Sequence, residues 1–283
     1  MKKVLVLGST GLIGHQVYYY LKSRGYNVTG MANTRQLDDK TIQVDARDEH
    51  AFIQNIKDVE PDIIVNCMGA LISEANRNPA HAIFLNAYMP HRLKCLANEM
   101  DVKLIHISTD CVFSGKKGFY TEGDIKDADD IYGRAKALGE IIDNKHLTLR
   151  TSVVGPELKN GEELFHWFMQ QKGVIQGYTK SLWSGVTTLE LAKAVEWVIS
   201  SDISGLYHVT NGTPIDKYNL LVLFKNYTGH KVDIKAVSGR VTNKSFIDTR
   251  RERNYTIPSY EVMVEDMVKH IRQHPELYVQ YAI

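Results

Sequence analysis

The sequence holds only three cysteines in 283 residues, Cys67, Cys95 and Cys111, and no two of them stand in a C-x-x-C spacing. That leaves neither a zinc site nor a disulfide framework to organise the fold. Charge of neither sign prevails, with Lys+Arg 34 against Asp+Glu 33, which argues against a nucleic-acid partner. Internal repeats and low-complexity tracts are absent, and no apolar stretch approaches a membrane span. The start, Met1-Lys2-Lys3-Val4-Leu5-Val6-Leu7, imitates a signal peptide, but its apolar run ends at Gly8 and is too short for the hydrophobic region of one. The expectation is a cytoplasmic protein in a reducing compartment, with no metal, no membrane and no nucleic acid.

What is present is an ordinary globular composition, 43% hydrophobic and 24% charged, in a chain long enough for a nucleotide domain and a smaller lobe. Val4 to Leu7 is a continuous apolar run, as a central parallel strand buried on both faces requires. Gly8-Ser9-Thr10-Gly11-Leu12-Ile13-Gly14 follows at once. Ile13, Val17 and Leu21 then keep helical spacing until Gly25, a C-cap signal. Strand, glycine turn and helix come in the order a dinucleotide site needs. The glycines allow a tight turn and close approach of backbone to pyrophosphate, with the helix N-terminus facing the phosphates. Gly8, Thr10, Gly11, Leu12, Ile13 and Gly14 are therefore candidate cofactor-binding residues. Their spacing is G-x-x-G-x-x-G rather than G-x-G-x-x-G, and a purely structural turn is the alternative.

A second strand spans Asn27 to Met31. A carboxylate at its end would recognise the ribose of NAD, but Ala32, Asn33, Thr34 and then Arg35 stand there. A guanidinium suits a 2′-phosphate, so NADP(H) is the expected cofactor and NAD the alternative, in which case Arg35 is a solvated loop charge. Thr41 to Val44 reads as a third strand ending in Asp45 and Ala46, with Asp48 capping the next helix. Pro61 to Asn66 reads as a fourth strand ending in Cys67, Met68 and Gly69, small enough for a ribose or ring to lie against the backbone. Cys67 and Cys95 read as structural apolar residues. Pro79 to Met100 reads as one long helix.

Leu104 to Ile107 is a fifth apolar strand. Ser108, Thr109, Asp110 and Cys111 follow at its C-terminal end, where open α/β sheets place their ligands. Tyr132 and Lys136 are i and i+4, one above the other on a helix expected to run to Asp143. An ammonium beside a phenol lowers the phenol's pKa, which makes Tyr132 a candidate general acid/base, with the Thr109 hydroxyl as a second donor. Leu147 to Arg150 is a sixth strand. The alternation specifies an α/β fold, a doubly wound parallel sheet of the Rossmann type. It occupies residues 1–154 and is completed by about 186–211, leaving 155–185 and 212–283 as a smaller C-terminal substrate lobe. Phe165, Trp167, Phe168, Tyr178 and Trp183 form that lobe's core or line a sugar pocket.

Taken in order, the glycine motif, Ser108-Thr109-Asp110, Tyr132-x-x-x-Lys136, Gly139-Glu140 and Arg150-Thr151-Ser152 resemble the extended short-chain dehydrogenase/reductase superfamily. Within it the pattern is similar to that of the dTDP-4-dehydrorhamnose reductases. Asn66, Asn86 and Thr188-Leu189-Glu190-Leu191-Ala192 also fit. The resemblance implies hydride transfer from NAD(P)H to the C4 ketone of a nucleotide-linked 4-keto-6-deoxy sugar. Tyr132 would protonate the developing alkoxide, Thr109 would polarise the carbonyl, Lys136 would also hold the nicotinamide ribose, and Asn86 would belong to the cofactor site. It further implies a homodimer through the helices at 79–100 and 132–143, whose outward Lys94, Arg134 and Glu140 leave no large apolar seam.

The chain departs from the reductase pattern at Lys126–Asp130, at Trp183–Thr187 and at Cys111, where the reductases carry Tyr and dehydratases Glu. Cys111 counts against dehydration. Alternation along a persisting strand would put it on the same side as Thr109. There it is either a proton-transfer group for epimerisation, as the cysteine of GDP-fucose synthase is, or a small pocket wall. A non-catalytic dinucleotide-binding subunit, like the β subunit of methionine adenosyltransferase, is the remaining alternative.

Overall fold

A computed structural model describes residues 2–159, 161–250, 255–281 and 283. It alternates strand and helix through the first half: β1 Lys3–Leu7, α1 Leu12–Ser23, β2 Asn27–Ala32, β3 Thr41–Gln43, α2 Glu49–Val59 and β4 Ile63–Asn66. Next come α3 Ile72–Arg77, α4 Pro79–Ile83, a π-helical turn Phe84–Tyr88, α5 Met89–Glu99, β5 Lys103–Thr109, a 3-10 turn Asp110–Val112, α6 Ile131–Leu138 and β6 Leu147–Thr151. The second half holds β7 Val153–Val154, α7 Leu164–Met169, β8 Gly173–Tyr178, β9 Ser181–Trp183, β10 Val186–Thr187 and α8 Thr188–Ile199. It ends with β11 Gly205–His208, β12 Ile215–Asp216, α9 Lys217–Thr228, β13 Val232–Val237, β14 Thr242–Asn243 and α10 Tyr260–Gln273.

Seven strands form the central parallel sheet in the order β11-β6-β5-β4-β1-β2-β3. The order reverses between β1 and β4, and ligands of such sheets bind beyond the strand ends at that switch point. Val4, Leu5, Val6 and Leu7 are all buried because β1 lies between β2 and β4 with helices on both faces. Leu5, Leu7, Phe52, Ile56, Ile64, Leu93, Leu96 and Leu104 close one layer of the core.

The chain divides into two compact units. The first comprises Met1–Phe113, Ile125–Arg150 and Ala192–Tyr207, the second Ser114–Asp124, Thr151–Leu191 and His208–Ile283. In the second unit β13 pairs with β8 in parallel, and β9 lies between β12 and β14. Phe165, Phe168 and Trp183 are buried there as core, whereas Trp167 and Tyr178 are exposed.

Three local expectations fail for physical reasons. The stretch from 79 to 100 is helical but not uniformly α, since a π turn interrupts it, and α3 precedes it as a separate short helix. The helix carrying Tyr132 and Lys136 stops at Leu138 instead of reaching Asp143. A Cβ at Gly139 would collide with the Asn86 carbonyl oxygen, and the Thr148 hydroxyl takes both backbone groups of Ile141, accepting from its N–H (2.9 Å) and donating to its carbonyl (2.7 Å). Those bonds draw the chain out of the helix towards β6. Finally, β5 ends at Thr109, so alternation cannot place Cys111, which lies in the 3-10 turn.

Candidate active site

The glycine turn after β1 is built by close contacts. Gly8 adopts φ +73°, a left-handed conformation that favours glycine. Its N–H donates to the Met31 carbonyl at 2.8 Å, and that of Gly11 to the Gly8 carbonyl at 3.0 Å. A Cβ at Gly14 would overlap the Gly8 carbonyl oxygen, and one at Gly8 would press on the backbone of Cys67 and Met68. Gly11 caps α1 without a side-chain hydrogen bond, so the first N–H groups of the helix are left to an anion. His15 is buried just behind, 2.8 Å from the Gly11 carbonyl. Burial pushes its imidazole down to about 4, so it adds no charge of its own at neutral pH.

A cleft of about 210 Å³ opens over this turn. Gly8, Thr10 and Gly11 form its floor, Asp45 and Ala46 one wall, and Cys67, Met68 and Gly69 another. These eight expected cofactor residues therefore converge. Leu12, Ile13, Gly14 and Arg35 do not line the cleft. Leu12, Ile13 and Gly14 form the first turn of α1, and Arg35 is exposed beyond Asn33 and Thr34, which do line it. Two hydrogen bonds from the Arg47 side chain, at 2.9 and 2.5 Å, hold Asp45 in place and keep its carboxyl below the ordinary range. His81, which no motif marks, also lines the cleft and is held by Glu74 at 3.2 Å. Burial pushes the Cys67 thiol up to about 12, consistent with a structural role.

Asn86 is placed differently from expectation. Its side-chain oxygen accepts from the Ala70 N–H (3.0 Å) and its amide donates to the Ala70 carbonyl (2.9 Å). Asn86 is buried in the π turn and fixes the loop after β4 rather than lining the cleft. Asn66 helps from below, accepting from the Met68 N–H and meeting His106 Nδ1, each at 3.1 Å.

The hydroxyl site forms where β5 meets α6. Asp130 caps α6 by accepting from the Gly133 N–H at 2.8 Å. Tyr132 lies beside Thr109, whose hydroxyl favours the phenolate, and near Cys111, whose charge opposes it. Thr109 Oγ1 also donates to Asp110 (3.1 Å) and accepts from the Cys111 N–H (3.2 Å). One turn along α6, Lys136 is buried and its ammonium donates to the Ile107 carbonyl at 2.8 Å. Burial pushes Lys136 down to about 8, against the pull of Glu140.

The expected lowering of the Tyr132 pKa is not found. Burial raises it well above the ordinary phenol range, Cys111 adds to the shift, and the neighbouring Thr109 hydroxyl only partly offsets it. The phenol is therefore protonated across the neutral range.

The support beneath this site is not visible in the sequence. Arg150 and Glu140 form a fully buried bidentate pair at 2.7 and 2.6 Å. Ser108 donates to the same carboxylate at 2.8 Å, and the Arg150 guanidinium lies 4.9 Å from the centre of the Phe113 ring. Burial alone would raise Glu140, but the Arg150 bonds and charge override it and hold the carboxyl below its usual value. Ser108 is thereby anchored to α6, one residue before Thr109. Both partners are motif residues, but only the fold shows that they pair.

Among the described residues no group of three or more His, Cys, Asp or Glu could hold a metal ion, and no helix is long and apolar enough to cross a membrane. The family described as the RmlD substrate binding domain matches residues 1–272. A probable low-salt glycan biosynthesis reductase, Agl14 of Haloferax volcanii, is 32% identical over 48% of this chain, a match spanning only 46% of its own length. The spore coat polysaccharide biosynthesis protein SpsK of Bacillus subtilis is 26% identical over 99% of this chain and 98% of its own. In structure the chain resembles a dTDP-4-dehydrorhamnose reductase of Bacillus anthracis solved with NADP, with a TM-score of 0.82, 22% identity, and coverage of 95% of this chain and 99% of that one. With a match that runs through both units almost from end to end, the chain belongs to the RmlD substrate binding domain family.

Proposed function

We propose that this chain is an NADPH-dependent reductase of the 4-keto group of a nucleotide-linked 4-keto-6-deoxy sugar. The observation that carries the reading is the Tyr132–Thr109 hydroxyl pair with buried Lys136 one helical turn away. A subunit that only bound dinucleotide would have no use for that arrangement. The uncapped start of α1 and the glycine cradle fit a pyrophosphate, and Arg35 at the end of β2 is the candidate partner of a 2′-phosphate. Bound there, the cofactor would supply a hydride to the ketone carbon. Thr109, its one hydroxyl proton turned from Asp110, donates to the substrate carbonyl oxygen and polarises it. Tyr132, kept protonated by burial, gives its proton to that oxygen as negative charge develops. The Lys136 ammonium then offsets the charge left on the phenolate. The names of the Bacillus and Haloferax relatives, in polysaccharide and glycan biosynthesis, support this substrate class.

Given NADPH and a panel of 4-keto nucleotide sugars, the wild type should oxidise the cofactor, seen as a loss of nicotinamide absorbance. Tyr132→Phe should lose about 10²–10⁴-fold in rate with NADPH affinity unchanged. A Phe variant as active as the wild type would sink the reading. Cys111, beside the phenol, carries a second version in which a carbon next to the ketone is epimerised first. Deuterium at C3 or C5 of product made in heavy water would show it, and unlabelled product would leave Cys111 as a pocket wall.

A homodimer belongs to the same proposal. The first unit exposes Ile83, Tyr88, Leu138 and Ile142, and Glu140, expected on an outward face, is buried instead. Light scattering at micromolar concentration tests it, and a monomer would refute it.

A further inference from the structure

β2 and β3 lie side by side in parallel, with Gly30 opposite Thr41 and Ala32 opposite Gln43. Parallel neighbours are usually joined by a crossover of about a dozen residues or more, most often a helix. Here residues 33–40 make the crossing without a helix. The loop carries Asn33 and Thr34, which line the cleft, and then Arg35, which is exposed. Among the described residues the Arg35 side chain has no hydrogen-bond or ion-pair partner, so the path of the loop alone decides where the guanidinium stands.

The two ends of the loop are fastened separately. At its start Gln43 Nε2 donates to the Asn33 carbonyl at 3.1 Å. At its end Asp38 is the knot. Tyr18 and Lys22, one turn apart on α1, both reach it, the Tyr18 hydroxyl donating to Oδ1 at 2.6 Å and the Lys22 ammonium to Oδ2 at 2.5 Å. Oδ1 also accepts from the Lys40 N–H at 3.0 Å and from the Thr41 hydroxyl at 3.4 Å. Tyr18 is fully buried, and the Lys22 ammonium stands 5.7 Å from the centre of its ring. Burial alone would raise the Asp38 carboxyl, but the Lys22 and Tyr18 bonds outweigh it and hold the group below its usual range.

We propose that Asp38 is a positioning residue for cofactor choice: by tying the crossover to α1 it holds Arg35 in place for the 2′-phosphate of NADPH. The proposal rests on the reading of Arg35 as the partner of that phosphate. An untied loop has to be ordered as the phosphate binds, and that ordering lowers the affinity. NADH has no such phosphate, and the cleft-lining start of the loop keeps its own bond to Gln43. The knot therefore serves one cofactor and not the other.

Calorimetric titration with NADPH and NADH tests this on the wild type, Asp38→Ala, Arg35→Ala and the double variant. Asp38→Ala should weaken NADPH binding about tenfold, roughly the worth of one charge-assisted hydrogen bond, and leave NADH binding as it was. On the Arg35→Ala background the same change should lose nothing further, because both act through one contact. Equal losses for the two cofactors, or NADPH losses that add in the double variant, would overturn the proposal and leave Asp38 a structural anchor. If Arg35→Ala weakens NADPH and Asp38→Ala does not, the positioning role alone falls. If Arg35→Ala itself leaves NADPH binding intact, the reading of Arg35 fails and takes the role of Asp38 with it. Should Asp38→Ala fail to fold, Tyr18→Phe removes one hydroxyl of the knot, keeps the ring, and should show the same selective loss at smaller size.

Discussion

The backbone at Gly133 touches the carbonyl oxygen of Cys111, and a Cβ at that position would collide with it and with Ala128. This contact lets α6 lie against the 3-10 turn, so that Tyr132 on the helix meets Thr109 at the strand end.

Gly133→Ala should therefore push helix and turn apart. We expect a loss of about 1–3 kcal/mol in denaturant unfolding, typical of overpacking, together with a fall in turnover at nearly unchanged NADPH affinity. Wild-type turnover in a variant that unfolds early would show that the contact does not set the site.

Lys136 gives activity and stability opposite slopes at alkaline pH. Its folded pKa of about 8 lies below the ordinary 10.5. The ammonium fraction falls through pH 8, and turnover at saturating NADPH should fall with it. Between about 8 and 10.5 the unfolded chain binds the extra proton, so this residue's contribution makes folding more favourable as pH rises there. A turnover profile that stays level well above pH 8 would show that the charge is not needed.

Arg150→Met leaves the Glu140 carboxylate buried without its bidentate partner, and removing one member of such a pair destabilises by about 3–5 kcal/mol. The double variant Glu140→Leu/Arg150→Met should lose clearly less, measured by urea unfolding. Equal losses in single and double variants would mean that packing around Phe113, not charge, dominates.

Arg35→Ala should weaken NADPH binding by about 1–3 kcal/mol, the range for charge-assisted hydrogen bonds, and leave NADH unaffected. Calorimetric titration with both cofactors decides. Equal effects would mean that Arg35 is only a solvated charge near the turn.

The parts of this site that were legible are local in sequence. Gly8 to Gly14 and the Tyr132–Lys136 pair carry their geometry in their spacing, because turn and helix periods are fixed by the backbone. The Glu140–Arg150 pair was not legible, since its partners lie on different elements and a charged residue usually points to water. Nor was the phenol's pKa. The Tyr132–Lys136 spacing suggests a favourable charge, whereas in the fold burial raises the phenol and the group that lowers it is Thr109. The side of the sheet on which Cys111 falls depended on where β5 ends, and that is set by the Thr109 hydroxyl bonding the Cys111 N–H. The same is true of Asn86, whose amide is taken up by Ala70 across sixteen residues of chain.

The π-helical turn at Phe84–Tyr88 sets the phase of the chain beyond it. Each residue of an α-helix advances about 100°, so deleting one position from the turn would rotate α5 by that angle relative to α4. Leu93 and Leu96, now fully inside the core, would swing towards water while Asn86 lost its register with Ala70. The helical stretch from Pro79 to Glu99 can therefore drift in residue type along its outer face, but its length is frozen.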